Sequence, residues 1–291
     1  MKLTGEIAGG IATGPKRILG LVASPRKSGN CELFIKEMSR HVGEEHTLKL
    51  IRLTTLNIEP CMACYGCIMD EPCPNKDDMK FLLDEIVHAD AVMIAAPVYY
   101  LGSNGIIKNI LDRGFLFYTV LRETYAKPCI LVNFYGIKDR IGMAPQMLRA
   151  FATFLGLDIK ASVNIRAALP GEAVMIQSNI KRAKKLGGSL FLPTKRSISK
   201  EGCPFCGCEI VRLGKNAVIC TLCHGRFKID RKGSFVKLKD GGMLGPPDHM
   251  LLHKAWLRSM KAKFLAKRKQ TIQTILRYKD VGEWVSPRKP E

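Results

Sequence analysis

Arg17-Ile-Leu-Gly-Leu-Val-Ala23, Ser24-Pro-Arg-Lys-Ser-Gly-Asn30 and Cys31-Glu-Leu-Phe-Ile-Lys-Glu-Met-Ser-Arg-His-Val42 follow one another without a break. The first segment is continuously apolar, as a strand covered on both faces must be. The third has helical spacing, and the second is a polar turn between them. Backbone N–H groups and the helix dipole point at whatever occupies such a turn, which makes it an anion site. Ser24, Ser28 and Asn30 add side-chain hydrogen bonds suited to phosphate oxygens. A plain strand-to-helix connection, capped by Ser28 or Asn30, is the reading without a ligand.

The same alternation continues outward. His46 to Leu53 alternates polar and apolar residues, as expected of a half-buried strand near a sheet edge. Asp77 or Asp78 then starts a helix over Met79 to His88, with acid in its first turn as the dipole prefers. Ala91 to Ala96 is another buried strand, ending in Pro97-Val-Tyr-Tyr-Leu-Gly-Ser-Asn-Gly105 before a helix from Ile106 to Phe117. Pro128 to Asn133 is a fourth strand and runs into Phe134-Tyr-Gly136. A helix near Ala144 to Leu155, a strand near Ile159 to Ile165 and a helix from Glu172 to Lys185 complete the unit. The pattern predicts an α/β fold with a doubly wound, five-stranded parallel sheet. Ligands in such sheets bind beyond the carboxyl ends of the strands. The loops 24–30, 97–105 and 133–136 lie there. Tyr99 and Tyr100 would either stack on a flat ring or simply pack.

The loop after the second strand carries Cys61, Cys64, Cys67 and Cys73, spaced C-x2-C-x2-C-x5-C and followed by Pro74. Three thiols at x2 intervals wrap one small object from a short loop, which suits corners of an iron–sulfur cubane; the fourth closes the site. A single zinc fits less well, because its ligands usually come as two separated pairs. Free cysteines or a redox pair are the other readings. That second arrangement does occur later: Cys203, Cys206, Cys220 and Cys223 read C-x2-C-x13-C-x2-C, with strand-like alternation from Glu209 to Ile219 between them. This is the spacing of a zinc ribbon, although spacing alone does not separate zinc from a redox iron.

The chain divides accordingly into residues 1–190, the sheet domain; 191–245, the ribbon; and 246–291, a basic C-terminal helix. That helix is expected from Asp248, as its N-cap, to about Tyr278. Leu252, Trp256, Met260 and Phe264 form one stripe, and Ile272, Ile275 and Leu276 resume it. The stripe would pack on the chain's own core or on a second subunit, or, as a basic amphipathic face, on an anionic membrane or an acidic partner.

The net charge of +20 is unevenly placed: residues 1–179 hold 20 Lys+Arg against 18 Asp+Glu, and residues 180–291 hold 26 against 8. The basic region raises affinity for acidic partners of any kind. Nucleic acid is disfavoured, because basic residues are scattered and aromatic interleaving is sparse. No apolar run approaches the roughly 20 residues of a membrane span. Met1 to Pro15 lacks the pattern of a secretory signal, so a cytoplasmic location is expected. Eight of eleven cysteines fall in metal-type groupings, which favours metal over disulfides.

Ser24 to Asn30, the compact motif Cys61/Cys64/Cys67/Cys73, and Ala96-Pro-Val-Tyr-Tyr-Leu-Gly-Ser103 with Lys108, Asp112 and Arg113 together carry a resemblance. Over about residues 16–185 the chain resembles the iron–sulfur flavoproteins of the NAD(P)H-dependent FMN reductase family, which have a flavodoxin-like fold. The resemblance implies FMN, with its phosphate at Ser24, Arg26, Ser28, Gly29 and Asn30. It places the isoalloxazine against Pro97, Val98, Tyr99, Tyr100, Gly102, Ser103, Asn133, Tyr135 and Gly136. It further implies a 4Fe–4S cluster on the compact cysteine motif and a homo-oligomer. Cys31 stands where such proteins often carry Thr, which weakens one expected phosphate contact. No catalytic acid or base is expected, and His41, His46 and His88 read as structural.

The expected function is electron transfer between a reductant, either a ferredoxin-like protein or NAD(P)H, and an acceptor. A flavin exchanges electrons in pairs or singly and a cubane singly, so the pair links the two modes. Two other readings of the chain are an NAD(P)H-dependent FMN or quinone reductase without a cluster, and a redox-sensing binding module that uses the basic region.

Overall fold

The computed structural model describes residues 14–193, 202–242, 244–279 and 281–282. The expectations for the N-terminal stretch before Gly14, for part of the 191–245 unit and for the tail beyond Gly282 lie outside the described residues.

Five parallel strands form the main sheet: β1 (Lys16–Val22), β2 (His46–Arg52), β3 (Ala91–Tyr99), β5 (Pro128–Tyr135) and β6 (Asp158–Arg166), in the order β2-β1-β3-β5-β6. The short β4 (Gly102–Ser103) folds back antiparallel on β3. The predicted doubly wound sheet is therefore present, with β2 at an edge as its alternating pattern required. Alternate residues of each strand enter opposite cores. Leu19, Leu21, Ile94 and Leu131 pack under α2 (Met79–His88), α3 (Gly105–Asp112) and α5 (Ala144–Phe154), meeting Leu82, Ile110 and Leu148. Ile18, Val22, Met93 and Val132 pack under α1 (Asn30–Ser39) and α7 (Gln177–Ser189), meeting Phe34, Met38 and Leu186.

Two helices of the sheet domain differ from the sequence expectation. The helix from Ile106 stops at Asp112, and a 3-10 segment over Gly114–Thr119 leads to α4 (Leu121–Thr124). The helix over 172–185 is two, α6 (Glu172–Met175) and α7, separated by Ile176 in an extended conformation. Gly187 lies inside α7. A Cβ there would stand 2.0 Å from the Met38 carbonyl oxygen, so glycine lets α7 and α1 approach.

The second sheet is antiparallel, β10-β9-β8-β7, from β7 (Val211–Leu213), β8 (Val218–Cys220), β9 (Arg226–Ile229) and β10 (Phe235–Lys239). The β9–β10 hairpin was not expected. Its turn is held by Asp230, whose Oδ1 accepts the Lys232 and Ser234 N–H groups, each at 2.8 Å. The ribbon docks on α5, where Arg149 donates to the Cys206 carbonyl at 3.2 Å and Gln146 to Thr221 at 3.4 Å.

The C-terminal helix is also two, α8 (Pro247–Ala266) and α9 (Arg268–Leu276), parted at Lys267 (φ −102, ψ 7). Asp248 is not its cap. Pro247 occupies the first helical turn, where a missing N–H costs nothing. Asp248 instead pairs with Arg122 at 2.5 Å. The helix rests on the body of the molecule, but not through its expected stripe: Leu252, Trp256 and Phe264 are each more than half exposed, and Met250 is buried instead. Among the described residues no helix is long and apolar enough to cross a membrane.

Candidate functional site

The loops singled out by sequence meet at the carboxyl edge of the main sheet. Val22 pairs with Ala95, Ala96 with Asn133, and the Ala23 N–H bonds the Ala95 carbonyl at 2.9 Å, so the ends of β1, β3 and β5 lie side by side.

In the first loop, Ser28 takes a left-handed conformation (φ 52). A Cβ on Gly29 would come within 3.1 Å of the Arg26 side chain and 3.3 Å of its carbonyl, so the turn is closed tightly there. Ser24 is buried, and its Oγ accepts the Arg26 N–H at 3.3 Å; Arg26 and Ser28 are exposed. The Asn30 amide is taken up structurally. Its Nδ2 donates to the carbonyls of Ala167 and Leu169, and its Oδ1 accepts the Ala173 N–H. Cys31 faces the core, and burial pushes its thiol up to about 12.

Two residues not anticipated from sequence shape this turn. Arg52, at the end of β2, donates to the carbonyls of Ser24 and Arg26 at 2.8 Å each and to Glu32 at 2.5 Å. Glu32 accepts the Ser28 N–H at 2.9 Å, and its carboxyl is held down to about 2, first by the Lys36 hydrogen bond. A carboxylate at a helix N-terminus is favourable, and here two cations balance it.

The second loop turns through left-handed Tyr100 and Leu101. Pro97, Val98 and Gly102 are half-buried, whereas Ser103 is buried and donates to the Ala144 carbonyl at 3.1 Å. Tyr99, Leu101 and Ile137 stand exposed, and Tyr100 is fully so, at 106%. From the third loop, Asn133 is wholly buried, Tyr135 half-buried and Gly136 exposed. Asn133 Nδ2 meets Asn164 at 3.2 Å, but its Oδ1 has no partner, and neither has the buried Asn104 Oδ1. The edge thus combines a tight polar turn, an uncovered apolar rim and buried acceptors lacking donors. That set fits a flat, N–H-bearing ring attached to an anion.

Helix α3 ties this edge to the cysteine loop. Asn104, at its N-terminus, donates to the Ala23 carbonyl, and Asn109 donates to the Ile58 carbonyl at 2.5 Å. Arg113, at its C-terminus, is only 3% exposed. It donates to the Asp77 carboxylate, to the Glu59 carbonyl at 3.3 Å and to the Cys73 sulfur at 3.2 Å. Asp77 also accepts the N–H groups of Glu59 and Met79. Burial raises its pKa, but these bonds outweigh burial and hold the carboxyl below the usual range.

Cys61 and Cys64 are exposed, and Cys67 and Cys73 are half-buried. The loop bends through three left-handed residues, Ala63, Tyr65 and Asp70. Burial, then the charges of Cys64, Cys73 and Cys61, push the Cys67 thiol up. A thiol set that repels itself in this way is one that bound cationic metal would relieve.

The ribbon cysteines are packed differently. Among the described residues, only Cys203, Cys206, Cys220 and Cys223 gather their ligand atoms within 4.8 Å of one another. Cys203 and Cys223 sulfurs are 3.6 Å apart, as are those of Cys206 and Cys220. A tetrahedron with bonds of about 2.3 Å has edges of about 3.8 Å, so this is a site for one ion. Among the described residues the sulfurs of the first loop do not gather within 4.8 Å of one another. Cys208 is not a member; it donates to Gln146 at 2.5 Å.

The sheet order and the loops at its edge are those of a flavodoxin-like flavoprotein. Residues 16–168, more than half of the chain, match the family described as NADPH-dependent FMN reductase, and the chain belongs to that family. It is 31% identical over 98 residues to an iron-sulfur flavoprotein of Methanocaldococcus jannaschii, covering 33% of this chain and 51% of the relative. Over 182 residues it is 25% identical to an iron-sulfur flavoprotein of Archaeoglobus fulgidus, covering 60% and 78%. The chain spans about half the length of the curated relatives it matches first. A solved flavone reductase shares the fold at a TM-score of 0.65 and 17% identity, covering 94% of this chain and all of that one.

Proposed function

We propose that this chain is a flavin-dependent oxidoreductase holding FMN at the sheet edge and an iron–sulfur cluster on Cys61, Cys64, Cys67 and Cys73. On this reading it passes electrons between NAD(P)H or a ferredoxin-like protein and an acceptor. When bound, FMN exchanges electrons in pairs or singly and a cubane passes them singly, which lets one chain join the two kinds of carrier. The observation that carries the reading is the span of α3, from Asn104 beside the first flavin loop to Arg113 on Cys73.

The chain's own residues would bind and orient. Ser24 to Gly29 would hold the phosphate with backbone N–H groups. Arg52 keeps that turn closed from below. Tyr99 and Tyr100 would cover the ring and exclude water, and Asn133 and Asn104 would offer it buried acceptors. For the ribbon we infer one structural zinc, because its four thiols are buried or nearly so and meet at single-ion distances. The likeness to FMN reductases also supports a homo-oligomer.

The test is anaerobic purification of the whole chain followed by addition of NADPH or a reduced ferredoxin. Flavin absorption that bleaches with one of them is expected. Protein without flavin, or with flavin that neither donor bleaches, would contradict the proposal.

A further inference from the structure

Arg113 makes an unusual set of contacts for a buried cation. Its side chain is 2% exposed and that of its partner Asp77 is 1% exposed, so neither charge has water to support it. One nitrogen serves Asp77 and the Glu59 carbonyl, which flank the cysteine loop on both sides. The other nitrogen is left for a sulfur, donating to Cys73 at 3.2 Å. A brace for the loop alone would need only the first nitrogen. Retaining an aimed N–H on a ligand sulfur has a chemical consequence, because hydrogen bonds and charge at thiolate sulfur stabilise the reduced, more negative form of a cluster.

We propose that the buried Arg113–Asp77 pair sets the reduction potential of the cluster through Cys73. This rests on the cluster reading above and adds a positioning role that the cysteine spacing does not contain. The two residues act with opposite sign. Arg113 raises the potential through its charge and its N–H on sulfur. Asp77 lowers it by neutralising Arg113. Because the pair is nearly neutral, the hydrogen bond is what survives when both charges are counted together.

The experiment is an EPR-monitored redox titration of the whole chain and three variants, each first assayed for iron and inorganic sulfide. Arg113→Lys keeps the charge but loses the planar fork, and its potential should fall. Asp77→Asn leaves the guanidinium uncompensated, and its potential should rise. The double variant Arg113→Met with Asp77→Asn removes both charges without orphaning either, and its potential should fall through loss of the sulfur hydrogen bond alone. Shifts of the same sign in Arg113→Lys and Asp77→Asn, unchanged potentials, or loss of the cluster from all three variants would overturn the assignment and leave a loop brace. Absence of iron and sulfide from the unaltered chain would instead sink the cluster reading itself.

Discussion

Arg258 Nε donates to the Ile68 carbonyl at 2.7 Å, joining helix α8 to the cysteine loop 190 residues earlier. Lys254 and the other arm of Arg258 close on Asp70, which lies between Cys67 and Cys73. Tyr118 adds a bond to His253 at 2.7 Å. Lys254 and Arg258 of the basic appendage therefore turn charge inward, onto the cysteine loop, while Leu252 and Trp256 face outward.

Asp70→Asn should loosen this clasp without unfolding the protein, because exposed ion pairs contribute little to global stability. Hydrogen exchange should quicken across Ile68 to Asp70 and the first turns of α8, with the melting temperature nearly unchanged. Unaltered exchange in both segments would show that the clasp holds nothing.

Among the described residues Tyr100 is fully exposed, so Tyr100→Ala should leave stability unchanged. FMN retention on gel filtration should fall severalfold if the ring lies there. Equal retention would remove Tyr100 from the flavin site.

Gly187→Ala should be strongly destabilising for a single added methyl group. Its Cβ would meet backbone, the Met38 carbonyl, which cannot move aside as a flexible side chain can. A loss of about 1–3 kcal/mol or more in chemical denaturation is expected from such overpacking.

Glu32 supplies a pH test. Its carboxyl titrates at about 2 in the folded chain against an ordinary 4.5, so the stability it contributes is present above pH 4.5 and is lost as pH falls toward 2. Denaturation of the unaltered chain and of Glu32→Gln at pH 7 and pH 3 should show the advantage of the former shrinking with acid. An advantage that stays constant would contradict the assigned ion pairs with Arg52 and Lys36.

Much of this was legible in the sequence where one local pattern decides the outcome. Continuous apolar runs marked β1, β3 and β5, and alternation marked β2 as an edge strand. The C-x2-C pairs of the ribbon fixed a site that the fold assembles from opposed hairpins. The misses have physical reasons. The β9–β10 turn at Asp230 did carry a signal, an Asp ahead of Lys-Gly-Ser, but its strands are short and mostly exposed, with Phe227 alone fully buried in them. The role of Gly187 was not legible, because a helical glycine is explained only by a neighbour distant in sequence. The contacts of Arg113, Arg52 and Arg258 were beyond reach for the same reason: each joins segments 20 to 190 residues apart.

The central claim is that Cys61 to Cys73 hold a cluster beside a flavin, and inorganic sulfide measures it most directly. Zinc in the ribbon brings none, and flavin brings none. The whole chain purified without oxygen should yield acid-labile sulfide in step with iron and FMN, and a Cys64→Ser, Cys67→Ser variant should lose the sulfide while keeping the flavin. Flavin-loaded protein with no labile sulfide would contradict the account.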